Sequence, residues 1–414
     1  MTRYGIRAFW LRFVHSFGNG QLGEKLRRRL WQSRFASAVR GMRASRLPVE
    51  RAKVLFVTSS WACACNPKYV ARELARRRPD VDIVWLLSDA ACRGCGGRPD
   101  TGRAVRRWTW AAYRELATAH VLVENAHELA ARGNPSKRRG QFVMNTWHGS
   151  LGIKRLDSGA GASDRSRAAA AAMDALLSNS DFDDDVFSSC HLAAAPRLRT
   201  GHPRNDVFFL SGDEKAEIRR RVFAALGVEE DARLALFAPT FRENAFSAGS
   251  CAYDFAAWRA SLERRFCGKW AIAMRLHPLD ARARAEGLVS FPQGVLDATD
   301  FADIQELLVA ADAGITDYSS WIYDYLLGGR PGFIFAPDKA QYDGERGFYY
   351  PLEATPFPVA ETNAGLCANI EAFDAERFSR ESAAFLSDKG CMEDGKSSGR
   401  AVDVIEKWLD GGAA

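Results

Sequence analysis

The sequence predicts an α/β protein built from two successive halves, each with a parallel sheet. Three observations carry this prediction. The chain has 414 residues, which exceeds the size at which a single hydrophobic core usually stops growing. Hydrophobic residues make up 47% of it, enough to fill two cores. Short apolar runs alternate with helical stretches along the chain, which is typical of parallel strands joined by crossover helices.

Four buried strands are predicted in the first half, with a further candidate at residues 175–178. The strands are expected at residues 54–57, 81–87, 121–123 and 142–146, with helices around residues 69–77 and 105–117. The pattern restarts after the segment 201–206, with a helix at residues 213–225 and strands at residues 234–237, 272–276, 313–315 and 332–335. We therefore expect one domain over residues 51–200 and a second over residues 201–414.

The first 50 residues differ from the rest in charge. They hold eleven basic and two acidic side chains, a net charge of +9, whereas the whole chain carries +6. Apolar residues recur there at helical spacing and form one stripe, made of Ile6, Phe9, Trp10, Phe13, Val14 and Phe17. A second basic segment follows, with Leu22, Leu26 and Leu30 beside Lys25 and three arginines at 27–29. This pattern predicts a basic amphipathic helical appendage that lies in a membrane interface, and the alternative is that the stripe packs on the protein's own core.

No apolar run approaches the ~18 residues that a membrane-spanning helix needs. We expect a peripheral protein on the cytoplasmic face of an anionic membrane. Cys63, Cys65, Cys92 and Cys95 could supply four thiolates to a structural zinc, and free thiols in a reducing compartment are the alternative. The acidic run 183–185 invites a metal-binding interpretation, but acidic side chains in the first turn of a helix explain it better.

Polar side chains stand at the ends of several predicted strands, where open α/β sheets collect their ligands. His148 follows the strand 142–146, and His277 follows the strand 272–276. A histidine at such a place suits general-base catalysis because its reference pKa lies near working pH. Two strand-end histidines, one in each half, could converge across a cleft.

Two further clusters offer partners for phosphate groups. Asp317, Ser319 and Ser320 precede an apolar helical stretch, and we expect Ser319 or Asp317 to cap that helix and its start to bind phosphate. The alternative is an ordinary cap without a ligand. Thr240 and Arg242 lie just past a strand and offer a hydroxyl and a guanidinium.

Six segments stand out when they are taken together. They are 146–149 (Thr-Trp-His-Gly), 201–206 (Gly-His-Pro-Arg-Asn-Asp), 238–242 (Ala-Pro-Thr-Phe-Arg), 275–278 (Arg-Leu-His-Pro), 316–320 (Thr-Asp-Tyr-Ser-Ser) with Asp324 and Tyr325, and 345–349 (Glu-Arg-Gly-Phe-Tyr). Their order and number resemble those of the CDP-glycerol:poly(glycerophosphate) glycerophosphotransferase family of teichoic-acid and capsule synthesis. The resemblance covers roughly residues 120–365.

This resemblance implies a GT-B-like architecture, in which two Rossmann-like domains face a cleft, with no cofactor and no metal. It implies that His148 is the catalytic base and that His277 is a second essential histidine, which contacts the diphosphate or the leaving group. It also implies a CDP-glycerol site, with matching positions at Trp147, Gly149, Ser150, Leu151, Arg204, Pro239, Thr240, Arg275, Ser319, Ser320 and Asp324. Leu276, Asp317 and Arg242 belong to the same segments and join the candidate substrate-binding residues.

The implied reaction transfers glycerol phosphate from CDP-glycerol to a hydroxyl of a lipid-linked polymer acceptor and releases CMP. One departure leaves the alditol and the acceptor open. The commonest family pattern after Thr-Trp-His-Gly is Thr-Pro-x-Lys, whereas this chain has Ser-Leu-Gly-Ile-Lys at residues 150–154. The alternatives are a ribitol-phosphate transferase or nucleotide-sugar glycosyltransferase on the same fold, and a non-catalytic membrane scaffold. No nucleic-acid partner is expected.

Overall fold

Two parallel sheets organise the chain, so the predicted α/β class is confirmed. The computed structural model describes residues 21–31, 33, 36, 39, 43, 46–93, 98–126, 129, 137–156, 163–240, 253–276 and 291–411. Four sets of predicted features lie outside the described residues, namely the apolar stripe between Ile6 and Phe17, Cys95, Arg242 and His277.

The first sheet has seven strands in the order β3-β2-β1-β4-β5-β6-β7, and all neighbours run parallel. They are β1 (Glu50–Val57), β2 (Asp82–Leu87), β3 (Arg103–Arg106), β4 (Ala119–Glu124), β5 (Phe142–Asn145), β6 (Ala175–Ser178) and β7 (Arg197–Arg199). The central strands are near-continuous apolar runs because elements cover both faces of a parallel sheet. The strand order reverses between β1 and β4, and such a switch point opens a crevice at the carboxyl ends of the strands.

The second sheet has six parallel strands in the order β10-β9-β8-β11-β12-β13. They are β8 (Arg233–Phe237), β9 (Trp270–Met274), β10 (Val295–Asp297), β11 (Ala313–Thr316), β12 (Gly332–Phe335) and β13 (Val359–Ala360). Its order reverses between β8 and β11. Each sheet therefore has its own switch point.

Fourteen α-helices lie in the described part of the chain. They are α1 (Gln21–Trp31), α2 (Cys65–Arg77), α3 (Asp89–Cys92), α4 (Trp110–Thr118), α5 (Asp164–Ala171), α6 (Asp181–Ser188), α7 (Gly212–Leu226), α8 (Phe255–Phe266), α9 (Ile304–Ala310), α10 (Trp321–Leu326), α11 (Lys339–Arg346), α12 (Asn363–Glu371), α13 (Ala375–Asp388) and α14 (Ser397–Leu409). Two 3-10 helices lie at Pro203–Phe209 and Leu352–Ala354.

The helix predicted over residues 105–117 was wrong at its start. Residues Arg103–Arg106 form β3 instead, at the edge of the first sheet. The helix α4 begins at Trp110 because Thr109 is its N-cap, and the Thr109 side chain accepts a hydrogen bond from the backbone N–H of Ala112.

The last helix returns to the first sheet. Ala401, Val402 and Ile405 of α14 are fully buried in the same apolar cluster as Val54 and Phe56 of β1. The chain therefore crosses between the two halves twice, once before the second sheet and once after it. The C-terminal helix belongs to the core of the first half.

A buried ion-pair cluster joins the two halves beside these crossings. The Lys68 ammonium of α2 lies 2.7 Å from a carboxylate oxygen of Asp303 and 2.7 Å from one of Glu306. The Tyr69 hydroxyl donates to the same Asp303 oxygen at 2.9 Å. Because one carboxylate meets both a cation and a hydroxyl donor, the cluster satisfies its buried charges across the contact.

The basic helix α1 packs on the first half through two side chains one turn apart. Arg27 is buried and pairs with the Asp89 carboxylate, and Trp31 packs edge-on against Trp108 with ring centroids 5.8 Å apart. Leu26, which the sequence placed on the apolar face, is 46% exposed. Within the described ranges, no helix has both the length and the apolar composition needed to cross a bilayer.

We predict that Trp31→Ala lowers the free energy of unfolding by about 3 kcal/mol, because it removes a fully buried aromatic side chain and leaves a cavity. Chemical denaturation of the purified protein measures the change. Leu26→Ala on the same helix is the control and should change stability by less than about 0.5 kcal/mol. Equal unfolding midpoints for the two variants would contradict the packing of α1.

Candidate active site

The candidate site lies where the loop after β5 meets the start of α10. A Cβ atom added at Gly149 would lie 3.6 Å from Oγ of Ser320, and one added at Gly152 would lie 3.9 Å from its Cβ. The carboxyl ends of β5 in the first sheet and of β11 in the second therefore face each other. The convergence expected from the sequence was that of His148 with His277, which lies outside the described residues, so that part stays a prediction.

The loop after β5 has an unusual backbone conformation. Trp147 and Leu151 have φ angles of 55° and 45°, which L-residues rarely adopt. The Asn66 side-chain amide donates to the carbonyl oxygens of Thr146 at 2.7 Å and of Trp147 at 3.0 Å. The Asn145 side chain accepts from the Trp147 N–H at 2.8 Å. These bonds hold the loop in a conformation that costs free energy on its own.

His148 is the exposed residue of this loop. Its Nδ1 lies 2.6 Å from the backbone carbonyl oxygen of Asn125. A carbonyl can only accept, so Nδ1 carries the proton, and the basic lone pair of the neutral ring is on Nε2. The ring also packs against Trp147, with centroids 4.7 Å apart. The bond fixes the tautomer that a general base requires.

Arg204 connects His148 to the second half. Its guanidinium donates to the backbone carbonyl of His148 at 2.6 Å and pairs with the Asp324 carboxylate of α10 at 2.8 Å. Both side chains are at least 95% buried. Burial alone would lower the pKa of Arg204, but Asp324 and the nearby Cys65 outweigh burial and raise it. Arg204 therefore stays protonated, and its guanidinium links the loop that carries His148 to α10 in the second half.

Ser150 turns its side chain into the protein rather than into solvent. Its Oγ lies 2.7 Å from Nδ1 of His202, and the Asn179 amide donates to it at 3.2 Å. His202 is fully buried, and burial together with the charges of Arg204 and His148 lowers its pKa well below the usual value. The imidazole of His202 is accordingly neutral and fixes the Ser150 hydroxyl.

Asp183 supports the far end of the same loop. Ser180 caps α6, and Asp183 lies in the first turn, as the sequence predicted for the acidic run. One oxygen of Asp183 accepts from the Leu151 N–H at 3.2 Å, and the other lies 3.8 Å from Nε2 of His202. Burial raises the pKa of Asp183 to about 8, against the lowering effect of the Leu151 N–H.

In the second half, Asp317 positions Thr240. Its carboxylate accepts from the Thr240 N–H at 2.8 Å and 3.0 Å. The N-cap of α10 is Ser320, which makes no side-chain capping bond, so the predicted cap at Ser319 or Asp317 was wrong. The physical reason is that the Asp317 carboxylate turns back toward the strand end of β8, where a backbone N–H needs an acceptor.

Arg275 lies at the end of β9, on the same edge of the second sheet. Its guanidinium donates to the carbonyl oxygens of Phe301 and Ala302 at 3.2 Å and 3.4 Å. Burial lowers its pKa, against the opposite effect of Asp303. The next residue, Leu276, points into the second core and is 1% exposed. Of this pair, only Arg275 has a side chain with polar atoms near the cleft.

The printed contacts join the loop at residues 147–152 and Arg204 to the start of α10, at Ser320 and Asp324. Pro239, Thr240, Arg275, Asp317 and Ser319 lie just past the carboxyl ends of β8, β9 and β11 in the second sheet, and Leu276 lies in the second core. Sequence reasoning missed Asn66, Asn179 and Glu393, whose side chains form hydrogen bonds with the site residues or with their direct neighbours. None of the three stands in a recognisable motif. His202 was also missed, although it lies inside the segment 201–206 that the sequence singled out.

Metal ligation finds no support among the residues with described coordinates, where no group of three or more His, Cys, Asp or Glu side chains is arranged to hold an ion. Cys63 is buried, and burial raises the pKa of its thiol to about 12. The four-cysteine site involves Cys95 and stays a prediction.

The fold and the cleft define a class of protein, an α/β chain with two parallel sheets and a histidine-bearing site between their carboxyl edges. The chain belongs to the CDP-glycerol:poly(glycerophosphate) glycerophosphotransferase family, whose model matches residues 40–407. The resemblance inferred from the motifs is thereby confirmed.

Several relatives and solved structures are similar to this chain. The teichoic acid poly(glycerol phosphate) polymerase of Bacillus subtilis strain 168 is 28% identical over 385 residues, covering 88% of this chain and 50% of the relative. The enzyme of the same name from Bacillus spizizenii is 27% identical and covers 83% and 88%. The chain thus spans about half the length of the first relative. The structure of the wall teichoic acid polymerase TagF matches with a TM-score of 0.75 and 23% identity over 98% of both chains.

We predict that Asp183→Asn reduces the pH dependence of folding stability. The wild-type carboxyl keeps its proton up to about pH 8 in the folded state but loses it near pH 4 when unfolded. Its contribution to stability therefore falls as pH rises between these values and is constant above about pH 8. An asparagine does not titrate, so the variant should lose less stability between pH 6 and pH 9.

Chemical denaturation at several pH values between these limits measures the effect. Asp185→Asn, on an exposed position of the same helix, is the matched control and should leave the pH dependence unchanged. Parallel stability curves for Asp183→Asn and the wild type would contradict the prediction.

Proposed function

We propose that this protein is a transferase that moves glycerol phosphate from CDP-glycerol to a hydroxyl of a membrane-linked cell-envelope polymer and releases CMP. Its two halves would form a GT-B-like pair of Rossmann-like domains, residues 51–200 and 201–414, with α14 returning to the first. The observation that carries the proposal is the fixed tautomer of His148 at a cleft lined by the family's motif segments.

In this mechanism the acceptor hydroxyl attacks the phosphorus atom that bears the glycerol. An alcohol is a weak nucleophile at neutral pH, so Nε2 of His148 takes its proton as the new P–O bond forms. The bond between that phosphorus and the bridging oxygen breaks, and CMP leaves with the bonding electrons. The Nδ1–H bond to the Asn125 carbonyl keeps the ring oriented and stabilises the imidazolium that results.

Negative charge on the phosphate oxygens needs fixed donors on the opposite wall. Arg275, the hydroxyls of Ser319 and Ser320, and the Thr240 hydroxyl lie at the strand ends of the second half and suit this role. His277 lies two residues after Arg275 in the sequence and is proposed to contact the diphosphate or the leaving group. With these donors the transfer is proposed to need neither a cofactor nor a divalent metal.

Arg204 is proposed to link the catalytic base to the wall that binds the nucleotide donor. Its guanidinium donates to the backbone carbonyl of His148 and also pairs with the Asp324 carboxylate of α10. A shift of either half would therefore change both at once. Correct spacing between nucleophile, base and phosphorus is a large part of such catalysis.

A ribitol-phosphate donor is the second candidate. The teichoic acid poly(ribitol-phosphate) polymerase of Bacillus spizizenii is 24% identical to this chain and covers 87% of it. The replacement of the usual Thr-Pro-x-Lys by Ser-Leu-Gly-Ile-Lys at residues 150–154 changes the loop next to His148. Parallel assays with CDP-glycerol, CDP-ribitol and a UDP-sugar, read by CMP or UDP release, distinguish these donors and the non-catalytic scaffold.

We predict that His148→Ala lowers the rate of CMP release from CDP-glycerol by about 10²–10⁴-fold, because it removes the general base. A lipid-linked acceptor analogue serves as co-substrate, and mass spectrometry of the product identifies the transferred group. His277→Ala should have a loss in the same range.

His120→Ala is the matched control, since His120 also contacts a backbone carbonyl through Nδ1, that of Arg51 at 3.0 Å, but lies at the start of β4. It should retain wild-type turnover. Near-normal turnover by folded His148→Ala would refute the assignment of the base.

The protein is proposed to act on the cytoplasmic face of the membrane, held by its basic N-terminal segment. Arg27 and Trp31 pack α1 against the first half, whereas Arg28 and Arg29 are exposed. Exposed arginines each add about 1 kcal/mol on anionic lipid. The apolar stripe of the sequence lies within residues 1–20 and is proposed to supply a second, apolar contribution to membrane binding.

We predict that deletion of residues 1–20 releases the protein from anionic vesicles but spares CMP binding. This deletion leaves Arg27 and Trp31 in place, so the first half keeps its packing. Co-sedimentation with phosphatidylglycerol vesicles and calorimetry with CMP measure the two effects. Residual vesicle binding should fall further with salt, because the remaining attraction is electrostatic. Equal binding by the deleted and full-length proteins would mean that the stripe packs on the protein's own core.

A further inference from the structure

Glu393 is a buried carboxylate in the segment between α13 and α14. Its side chain is 1% exposed. One oxygen, Oε1, accepts three hydrogen bonds: from the Asn179 amide at 3.0 Å, the His202 N–H at 3.0 Å and the Asn205 amide at 2.9 Å. The other oxygen accepts from the Ser397 hydroxyl at 3.1 Å. This one side chain gathers donors from the first half and from the crossing segment.

Each of the three donors leads to a residue of the candidate site. Asn179 and His202 both bond the Ser150 hydroxyl, at 3.2 Å and 2.7 Å. Asn205 donates to the Asp324 carboxylate at 3.1 Å. A single bridging residue therefore connects Oε1 of Glu393 to the loop that carries His148, and another single residue connects it to α10. No motif in the sequence marks it.

Resting on the proposed function, we propose that Glu393 is a positioning residue of the transfer reaction, whose Oε1 sets the spacing between the His148 loop and α10. It touches no substrate. It acts through Ser150 on one side and through Asp324 on the other, and Asp324 in turn holds Arg204. The C-terminal segment would thus be part of the active-site framework.

The position of this oxygen, rather than its charge, is the property that the network uses. Burial, with a smaller contribution from the Asp324 carboxylate, raises the pKa of Glu393 to about 7 against the lowering effect of its hydrogen bonds from His202, Asn179 and Asn205. Three N–H donors can bond to the oxygen of a carboxylate, of a neutral acid or of an amide. Glutamine keeps that oxygen in place without charge, whereas aspartate keeps the charge but withdraws the oxygen by one methylene.

The test compares Glu393→Gln, Glu393→Asp and Glu393→Ala by kcat and KM for CDP-glycerol. We expect the Asp and Ala variants to lose about 10- to 100-fold in kcat, in line with the cost of misplacing reacting groups by about 1 Å. Their affinity for CMP, measured by calorimetry, should change by less than about threefold. Glu393→Gln should retain kcat within about threefold of the wild type. If Glu393→Ala does not fold, the contrast between Gln and Asp decides.

Asp394→Ala is the matched control, because the neighbouring Asp394 is exposed and its carboxylate accepts from the Arg400 guanidinium and the Lys396 N–H rather than from the donors of Glu393. It should behave as the wild type. Wild-type kcat in Glu393→Asp, or a loss confined to Glu393→Gln, would overturn the proposal.

A second readout separates this proposal from the proposed function. Amide hydrogen exchange of the peptide that spans residues 146–151 should be faster in Glu393→Asp than in the wild type and unchanged in Glu393→Gln. A wild-type protein that releases no CMP refutes the proposed function alone, and the exchange data then decide the role of Glu393. Equal exchange rates in the wild type and in all variants would overturn the proposed role of Glu393.

Discussion

The loop after β5 is the constraint on which the rest of the site depends. Its backbone enters and leaves through left-handed conformations at Trp147 and Leu151, each costing of order 1–3 kcal/mol. Such a loop persists only where its surroundings hold it. Here Asn66, Arg204 and Asp183 bond its carbonyl and N–H groups in turn. As a result, His148 is exposed just past the end of β5, and its hydrogen bond to the Asn125 carbonyl fixes its tautomer.

The side chains that hold this loop include buried charged groups, and burying a charge carries a desolvation penalty. The structure limits this penalty in two ways. The Arg204 and Asp324 charges form a direct ion pair, and Asn205 and Gln305 donate further hydrogen bonds to the Asp324 carboxylate. The pKa values of Asp183 and Glu393 are raised instead, to about 8 and about 7. A buried carboxyl that takes up a proton avoids most of the desolvation penalty. The network is therefore less charged than a count of its carboxyl groups suggests.

The sequence predicted the elements whose cause is local. Buried strands such as β2 and β5 are apolar runs, and a histidine at a strand end follows from the order of residues. The edge strand β3 was missed because two of its four residues are arginines and an edge strand buries little surface. The packing of α1 was missed because the fully buried side chains described on this helix are Arg27 and Trp31, whereas Leu26 of the apolar pattern is exposed.

The supporting residues were beyond reach for a different reason, which is sequence separation. Glu393 lies 191 positions from His202 and 214 from Asn179, and no periodicity links such positions. What brings them together is the return of the chain after the second sheet, fixed by the burial of Ala401 and Val402 against β1. The two crossings of the chain, at residues 200–212 and 389–397, pass beside the same network. The bonds of Arg204 and Glu393 lie at these crossings. The loop that carries His148 is therefore held by side chains from both passages of the chain and not by its own strand alone.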